Sequence, residues 1–388
     1  MDKNRSSFFV ALVAVDVLAA LADAVSGPYL VLFLVDRIGL GPLTLSIILT
    51  IRALAGITFG TAFGAWIDRR TSVLPLMIAL AGSAVGYGLL AFTTDVVFLT
   101  VIAAGPIAIG GAAFSQSIAL VKRNFARANL YTANRAIGVM RASWSFAWAF
   151  GPAVGAAVVA AFGFRGVFLT SAGAAALALA VMALAPVAPE QPDPSHVAPA
   201  PPANGRPALA LAFLALALFH TAMFMGAIPL AIVLTTSLGG SDSDVGFAYS
   251  LCAALEIVVM GALVWRPLRR GERNAIVVGF AAFVAYFIVL ALARSVAPVL
   301  WAQILRAIAI ALVTYLGIGF LQSLLPHRPG AAAALFSNAG QVGSVLAALG
   351  VGLLAQSFGY PSVFVACAIL SAAGLVILCL VQAAPEAR

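Results

Sequence analysis

Charge is what this chain has least of. Only 9% of its 388 residues are Asp, Glu, Lys or Arg, against roughly 25% in a soluble globular protein. Hydrophobic residues make up 63%. A soluble chain of this composition would have no polar surface to show to water, so its solvent is lipid. The net charge is +8, but charges this sparse form no basic face for nucleic acid. They suit the positive cytoplasmic loops of a membrane protein, and no nucleic-acid partner is expected.

Cysteine and histidine are scarce too. Cys252, Cys367 and Cys379 are scattered through apolar segments and give neither a disulfide framework nor a metal-ligand spacing. His196, His220 and His327 lie equally far apart. There is no Gly-x-Ser-x-Gly, no His-Glu-x-x-His and no Gly-x-x-x-x-Gly-Lys-Ser/Thr. These absences argue against an enzyme and against a metal or organic cofactor. A cleavage site of small residues is missing as well. After MDKNRSS the apolar run continues to about Val35, which reads as a first retained span rather than a signal peptide.

Long apolar runs dominate what is present. A membrane-crossing helix needs about 20 mostly apolar residues. Cutting at charges and turn residues gives twelve segments, near 8–35, 42–66, 73–92, 96–121, 131–161, 164–186, 208–237, 244–265, 275–293, 298–325, 330–357 and 360–382. They are continuously apolar rather than alternating, which selects helices over a barrel. With the N-terminus placed inside, only Arg37, Arg165 and Arg294 fall outside, and Arg52, Arg135, Arg141 and Arg306 fall within or at the edge of spans. The other fourteen of the 21 Lys and Arg residues are cytoplasmic. That asymmetry predicts both termini in the cytoplasm.

Residues 187–207, VAPEQPDPSHVAPAPPANGRP, hold seven prolines and no apolar run. They predict a linker between an N-terminal half, 1–186, and a C-terminal half, 208–388. FGFRGVF at Phe162 matches FGYPSVF at Phe358, an offset of 358 − 162 = 196. Each stands between the fifth and sixth span of its half, and SQS at Ser115 and LQS at Leu321 close matching spans. Internal duplication is the expected reading.

The turn after the second span reads GAWIDRR, with Gly64, Asp68 and Arg69 in a Gly-x-x-x-Asp-Arg pattern. Gly64 permits close helix approach, and Asp68 can meet a helix N-terminus or an arginine at the cytoplasmic face. Two six-helix halves, a cytoplasmic linker and this turn resemble the major facilitator superfamily across nearly the whole chain. The resemblance implies an all-α membrane protein of twelve transmembrane helices in two pseudo-symmetric halves, with the turn as a gating latch. The copy is abbreviated. The family continues with Gly-Arg-Arg/Lys where this chain has RTSV, and the second half lacks the Gly…Asp pair.

The stretch MRASWSFAWAFGPAVG, from Met140, places a charge deep in the fifth span. Arg141 lies about ten residues in, or roughly 15 Å, where a lone arginine costs at least about 2.5–3.5 kcal/mol and normally faces a cavity or a partner. Trp144, Ser145, Trp148 and Gly151 follow on its face. One cation, one hydroxyl and two indoles suit a solute with apolar ring faces and hydroxyl edges, such as a sugar. Gly151-Pro152-x-x-Gly155 thins and kinks the helix, allowing tight packing against the other half, and resembles the fifth-span motif of exporters. MRASWSFAWAFGP, PYLVLFLVDRIGLGP from Pro28 and TIRALAGI from Thr50 resemble bacterial sugar efflux transporters. Two departures stand out: Arg52 replaces an uncharged polar residue such as Asn, and Asp16 and Asp23 replace small or apolar residues.

The acids in spans are Asp16, Asp23 and Glu256, and the opposed bases are Arg52, Arg141 and Arg306. Unpaired charges in lipid are costly, so three against three predicts pairing in a central cavity. Motion that joins or parts an acid and an arginine changes the acid's hold on a proton. Asp23 is the first candidate carrier, Glu256 the second and Asp16 the third. Gln116, Gln303, His220, Asn338 and Gln341 are further candidates, with Asn338 and Gln341 the best pair for hydroxyl recognition. The expected protein is a monomeric proton-coupled exporter of a sugar or sugar-like solute in a bacterial inner membrane. An exporter of amphipathic drugs is the alternative.

Overall fold

The computed structural model describes residues 3–69, 72–124, 130–185, 207–266, 271–325 and 329–381. Ten helices among them are long and apolar enough to cross a membrane. One of these, Ala136–Leu184, runs 49 residues, about 74 Å at 1.5 Å per residue, more than twice the roughly 30 Å hydrocarbon core. It is two spans, not one. Gly163, at φ 66° and ψ −172°, breaks it in a region that only glycine adopts readily. Counting both limbs, together with the shorter apolar helix Leu74–Leu90, the segments number twelve, as the apolar runs predict.

In chain order, α1 is Lys3–Leu32, continued by a π-turn at Phe33–Arg37; α2 is Pro42–Arg69 and α3 is Leu74–Leu90. The fourth span, α4, is assembled from Val96–Ile102, a π-turn at Ala103–Ile107, Ala108–Gly110 and Ala113–Asn124. The two limbs of Leu130–Leu184 are α5 and α6. Next come α7 at Pro207–Ile232 with a π-turn at Val233–Ser237, α8 at Asp242–Trp265, α9 at Glu272–Leu292, α10 at Val296–Leu324, α11 at Pro329–Phe358 and α12 at Pro361–Leu380. Proline opens α2, α7, α11 and α12, where a missing N–H costs nothing. Ser241 and Asp244 form a capping box at α8, and Asp95 accepts from Phe98 N at 2.8 Å to start α4.

Contacts sort the chain into two compact units, Met1–Gly39 with Ile48–His196, and Leu40–Ile47 with Val197–Arg388. The expected linker, 187–207, lies outside the described residues except for Pro207. The start of α2 belongs with the second unit, which the apolar runs do not foretell. There Ser46 Oγ donates to the Ala348 carbonyl of α11, and Gly352 leaves the room that Ser46 fills.

In the first unit, α1 and α3 pack along the α5–α6 helix, and α3 and α1 also meet α4. Phe8, Leu12, Ile67, Leu76, Leu80 and Met140 are part of one buried cluster. In the second, α7 packs on α11 and α12, α9 on α10 and α12, and α8 on α10. Its centre is aromatic: Phe219, Phe280, Phe283, Tyr286 and Phe287 lie within 5.8 Å of a neighbouring ring. Many large apolar side chains remain exposed, among them Phe162 at 75% and Leu184 at 86%. In water these would be liabilities; in a spanning helix they are the lipid-facing surface.

The backbones of the two units repeat. Gly163 and Gly359 both have positive φ, 66° and 81°, at the 196-residue offset of the FGFRGVF and FGYPSVF segments. Gly39 and Gly239 do too, at 78° and 67°, each after a π-turn that follows a proline, Pro28 or Pro229.

Candidate functional site

Each unit holds its own polar cluster. In the first, Asp23 of α1 is half-buried and accepts from the Tyr87 hydroxyl of α3 at 3.2 Å. The Arg52 guanidinium of α2 acts on it electrostatically. Asp16, two turns earlier on α1, is 1% exposed, and neither of its oxygens has a hydrogen-bond partner among the described residues. Among the described residues no group compensates a charge there, and a buried carboxylate without partners is costly to ionise.

The fifth helix has three faces. One, with Ala147, Gly151 and Gly155, is buried on α1. A second, with Phe146 and Phe150, is apolar and exposed. Between them runs the face of Arg141, Ser145 and Trp148, spaced four and three residues apart. Arg141 is exposed and Ser145 half-buried. No described carboxylate pairs with Arg141.

The indoles are less free than their spacing predicts. Trp144 leans onto Phe114 of α4, with ring centroids 4.7 Å apart. Trp148 rests over Gly27 of α1, where a Cβ would lie 3.2 Å from its ring, and its buried Nε1 has no partner among the described residues. Gln116 is 1% exposed; its Nε2 donates to Ser115 Oγ at 3.2 Å and its Oε1 has no partner among the described residues.

Two packing expectations need correction. Gly151 and Gly155 meet α1 of their own unit rather than the other half: a Cβ at Gly151 would lie 2.4 Å from Ala24 Cβ, and at Gly155 2.5 Å from Val25 O. The fifth span needs glycine because α1 crosses it at backbone distance. Gly64, expected to admit a close helix, has nothing within 4 Å of a Cβ. Asp68 and Arg69 close α2, and their side chains lie outside the described residues.

In the second unit Arg306 is the hub. It is 9% exposed, its Cζ lies 5.2 Å over the Tyr249 ring, and Nη1 donates to Gln303 Oε1 at 3.4 Å. Tyr249 donates to the Ala227 carbonyl at 2.6 Å. Glu256 of α8, half-buried, feels Arg306 electrostatically. His220 is a packing residue: Nδ1 binds the Leu216 carbonyl at 2.8 Å, and Phe336 stands edge-on at 5.1 Å. Asn338 and Gln341 lie together on an exposed face of α11.

Within each unit an arginine thus acts on an acid electrostatically, Arg52 on Asp23 and Arg306 on Glu256, while among the described residues Asp16 and Arg141 have no such partner. The sequence reading missed Tyr87 and Tyr286. Each is an aromatic in an apolar span, which periodicity alone cannot distinguish from core.

The sequence profile of the Major Facilitator Superfamily matches residues 12–226 and 210–388. A Deinococcus radiodurans protein that carries the provisional name of sugar efflux transporter is 36% identical over 362 residues, covering 92% of this chain and 93% of its own length. Sugar efflux transporter A of Escherichia coli K12 is 28% identical, covering 97% of this chain and 96% of that protein. Among solved structures, a bacterial homologue of the human lysosomal transporter Spinster, inward-facing and occupied, superposes with a TM-score of 0.77 at 13% identity, covering 98% and 97% of the two chains. A mutant of the nucleoside transporter NupG gives 0.75 at 12% identity, covering 96% and 99%. At such identities these two structures speak for the fold alone.

Proposed function

The chain belongs to the major facilitator superfamily, a family of transporters and not of enzymes, and from that premise we propose that it exports a sugar or sugar-like solute by alternating access, driven by proton entry. The observation that carries the substrate class is the 36% identity to a sugar efflux relative over 92% of the chain. The polar face of α5 supports it. Arg141 is exposed and Ser145 half-buried, away from both the α1 seam and the apolar face, as solute-contacting groups must be. Trp144, Trp148, Arg52, Gln116, Arg306, Asn338 and Gln341 complete the proposed set of solute contacts.

Proton coupling rests on the acids. Asp23 accepts from the Tyr87 phenol and feels the Arg52 guanidinium electrostatically, and a change in either changes its hold on a proton. Asp16 and Glu256 are the further carriers. Both termini lie in the cytoplasm, and one chain suffices for the whole cycle. The turn at Gly64, Asp68 and Arg69 is the cytoplasmic latch. Export of amphipathic compounds is a second reading, favoured by the Trp144–Phe114 pair on α4 and α5.

The test is purified protein in liposomes containing a pH-sensitive dye, with outward gradients of mono- and disaccharides and of cationic drugs. Proton movement driven by a sugar, and lost in Asp23→Asn, is the expected result. A response to drugs alone moves the protein to the second reading. Labelled sugar crossing without a proton signal removes the coupling.

A further inference from the structure

Tyr87 stands near the end of α3, 5% exposed, and enters the transport reading above only as the phenol beside Asp23. Its hydroxyl donates to Asp23 Oδ1 at 3.2 Å, and Ser26, three residues along α1 from Asp23, stands beside the same hydroxyl with its own Oγ turned back to the Ala22 carbonyl at 2.9 Å. The packing beneath it fixes this placement. A Cβ at Gly82 would lie 2.8 Å from the Pro106 carbonyl, and one at Gly86 2.6 Å from Ile107 Cδ1. Pro106 and Ile107 belong to the π-turn of α4, whose wider backbone presses on α3 at these glycines. Gly86 is the chain neighbour of Tyr87, so the contact sets where the phenol points.

Few groups compete for the carboxylate. Among the described residues, the charged or titratable side chains acting on Asp23 are Arg52 from α2 and Tyr87 from α3. The fifth helix brings the uncharged Trp148 ring over Gly27, one turn further along α1.

The internal repeat supplies an independent observation. Tyr286 of α9 follows Tyr87 by 286 − 87 = 199 residues, close to the 200 that relates Gly39 to Gly239. Arg306, whose Nη1 donates to Gln303 Oε1 at 3.4 Å, acts on the Tyr286 hydroxyl electrostatically. In each unit the third helix therefore sets a buried phenol in the field of an arginine.

We infer that Tyr87 is the positioning residue of the proton site: its hydrogen bond holds the Asp23 carboxylate toward α3, and parting of the two frees that carboxylate to exchange its proton. The inference rests on the proton-coupled reading above. It separates two properties that a packing role would keep together. Loss of the hydroxyl changes the pH at which Asp23 exchanges its proton and leaves solute contacts alone.

The experiment compares wild type, Tyr87→Phe, Ser26→Ala and Asp23→Asn in liposomes, with a panel of labelled mono- and disaccharides and an internal pH dye. Two readouts are taken: the pH profile of proton-driven export, and counterflow exchange of labelled sugar at one pH. Tyr87→Phe is expected to displace the profile by about half a pH unit or more, with counterflow within about twofold of wild type. Ser26→Ala is expected to displace it less. A Tyr87→Phe profile that superimposes on wild type, whatever the rate, overturns the inference and leaves a packing tyrosine. If Tyr87→Phe does not elute as a monodisperse protein, Tyr87→Met, which also removes the hydroxyl, takes its place, and a profile identical to wild type overturns the inference equally. If Asp23→Asn shares the wild-type profile, the proton reading of Asp23 is itself wrong and the role of Tyr87 falls with it.

Discussion

Tyr29 of α1 donates its hydroxyl to the Pro152 carbonyl of α5 at 3.0 Å. The bond closes a seam in which Ala24 meets Gly151 and the Tyr29 ring lies against Gly155. A Cβ at Gly155 would stand 2.5 Å from both Tyr29 Cε2 and the Val25 carbonyl. The ring can turn away but the carbonyl cannot. Gly155→Ala is therefore expected to cost about 1–3 kcal/mol, and Tyr29→Phe about 0.5–1.5 kcal/mol. Unfolding midpoints in detergent check both, and Gly64→Ala, with open space at its Cβ, serves as the neutral control.

The repeated left-handed glycines give a paired prediction. Gly163 and Gly359 have φ of 66° and 81°. Among the described residues no atom crowds a Cβ at Gly163, and at Gly359 the neighbour is Pro361 Cδ at 3.8 Å, an ordinary contact. Alanine at either site meets backbone strain and little else, about 1–2 kcal/mol. Similar losses at both sites, read from the same unfolding midpoints, are expected. A large loss at one alone would show that the two turns differ in the contacts they support.

The twelve spans and the FGFRGVF repeat were legible because continuous apolarity and a glycine turn are local properties. What the packing does with those spans was not. Trp144 and Trp148 share a face with Arg141 by spacing, but their rings are long enough to lean onto Phe114 and Gly27. Gly151 and Gly155 announce a close helix without saying which one. The π-turns after Pro28 and Pro229 leave no mark in an apolar run. Tyr87 reads as one more core aromatic until α1 is placed beside it. The acids were legible as candidates, since a charge in a span demands explanation wherever it falls.

Arg141 and Arg306 are both intramembrane arginines, and their variants should fail in opposite ways. Arg306 is buried on Tyr249 and Gln303, so Arg306→Ala leaves polar partners unmatched and is expected to lower the unfolding midpoint clearly. Arg141 is exposed and has no described carboxylate partner. Its alanine variant should unfold like wild type and bind solute about 10-fold or more weakly, the loss of a hydrogen bond to a charged group. Calorimetric titration and thermal unfolding on the same two samples separate the outcomes. A stable Arg306→Ala and an unstable Arg141→Ala would invert the assignment.

The pair Asp16 and Asp23 yields the last prediction. They lie seven residues apart on α1, about 10 Å along the axis, in opposite circumstances. Asp23 has Tyr87 and Arg52; Asp16 has no hydrogen-bond partner among the described residues. Asparagine at either position removes a proton-exchanging group at nearly constant volume. Asp23→Asn is expected to abolish uphill export driven by an imposed proton gradient while leaving counterflow, which needs no net proton movement. Asp16→Asn should leave the unfolding midpoint near wild type, because no hydrogen bond among the described residues is lost there. If Asp16 is also a carrier, its variant lowers the number of protons moved per solute, read from the gradient that just balances export. An unchanged ratio in Asp16→Asn would confine coupling in the first unit to Asp23.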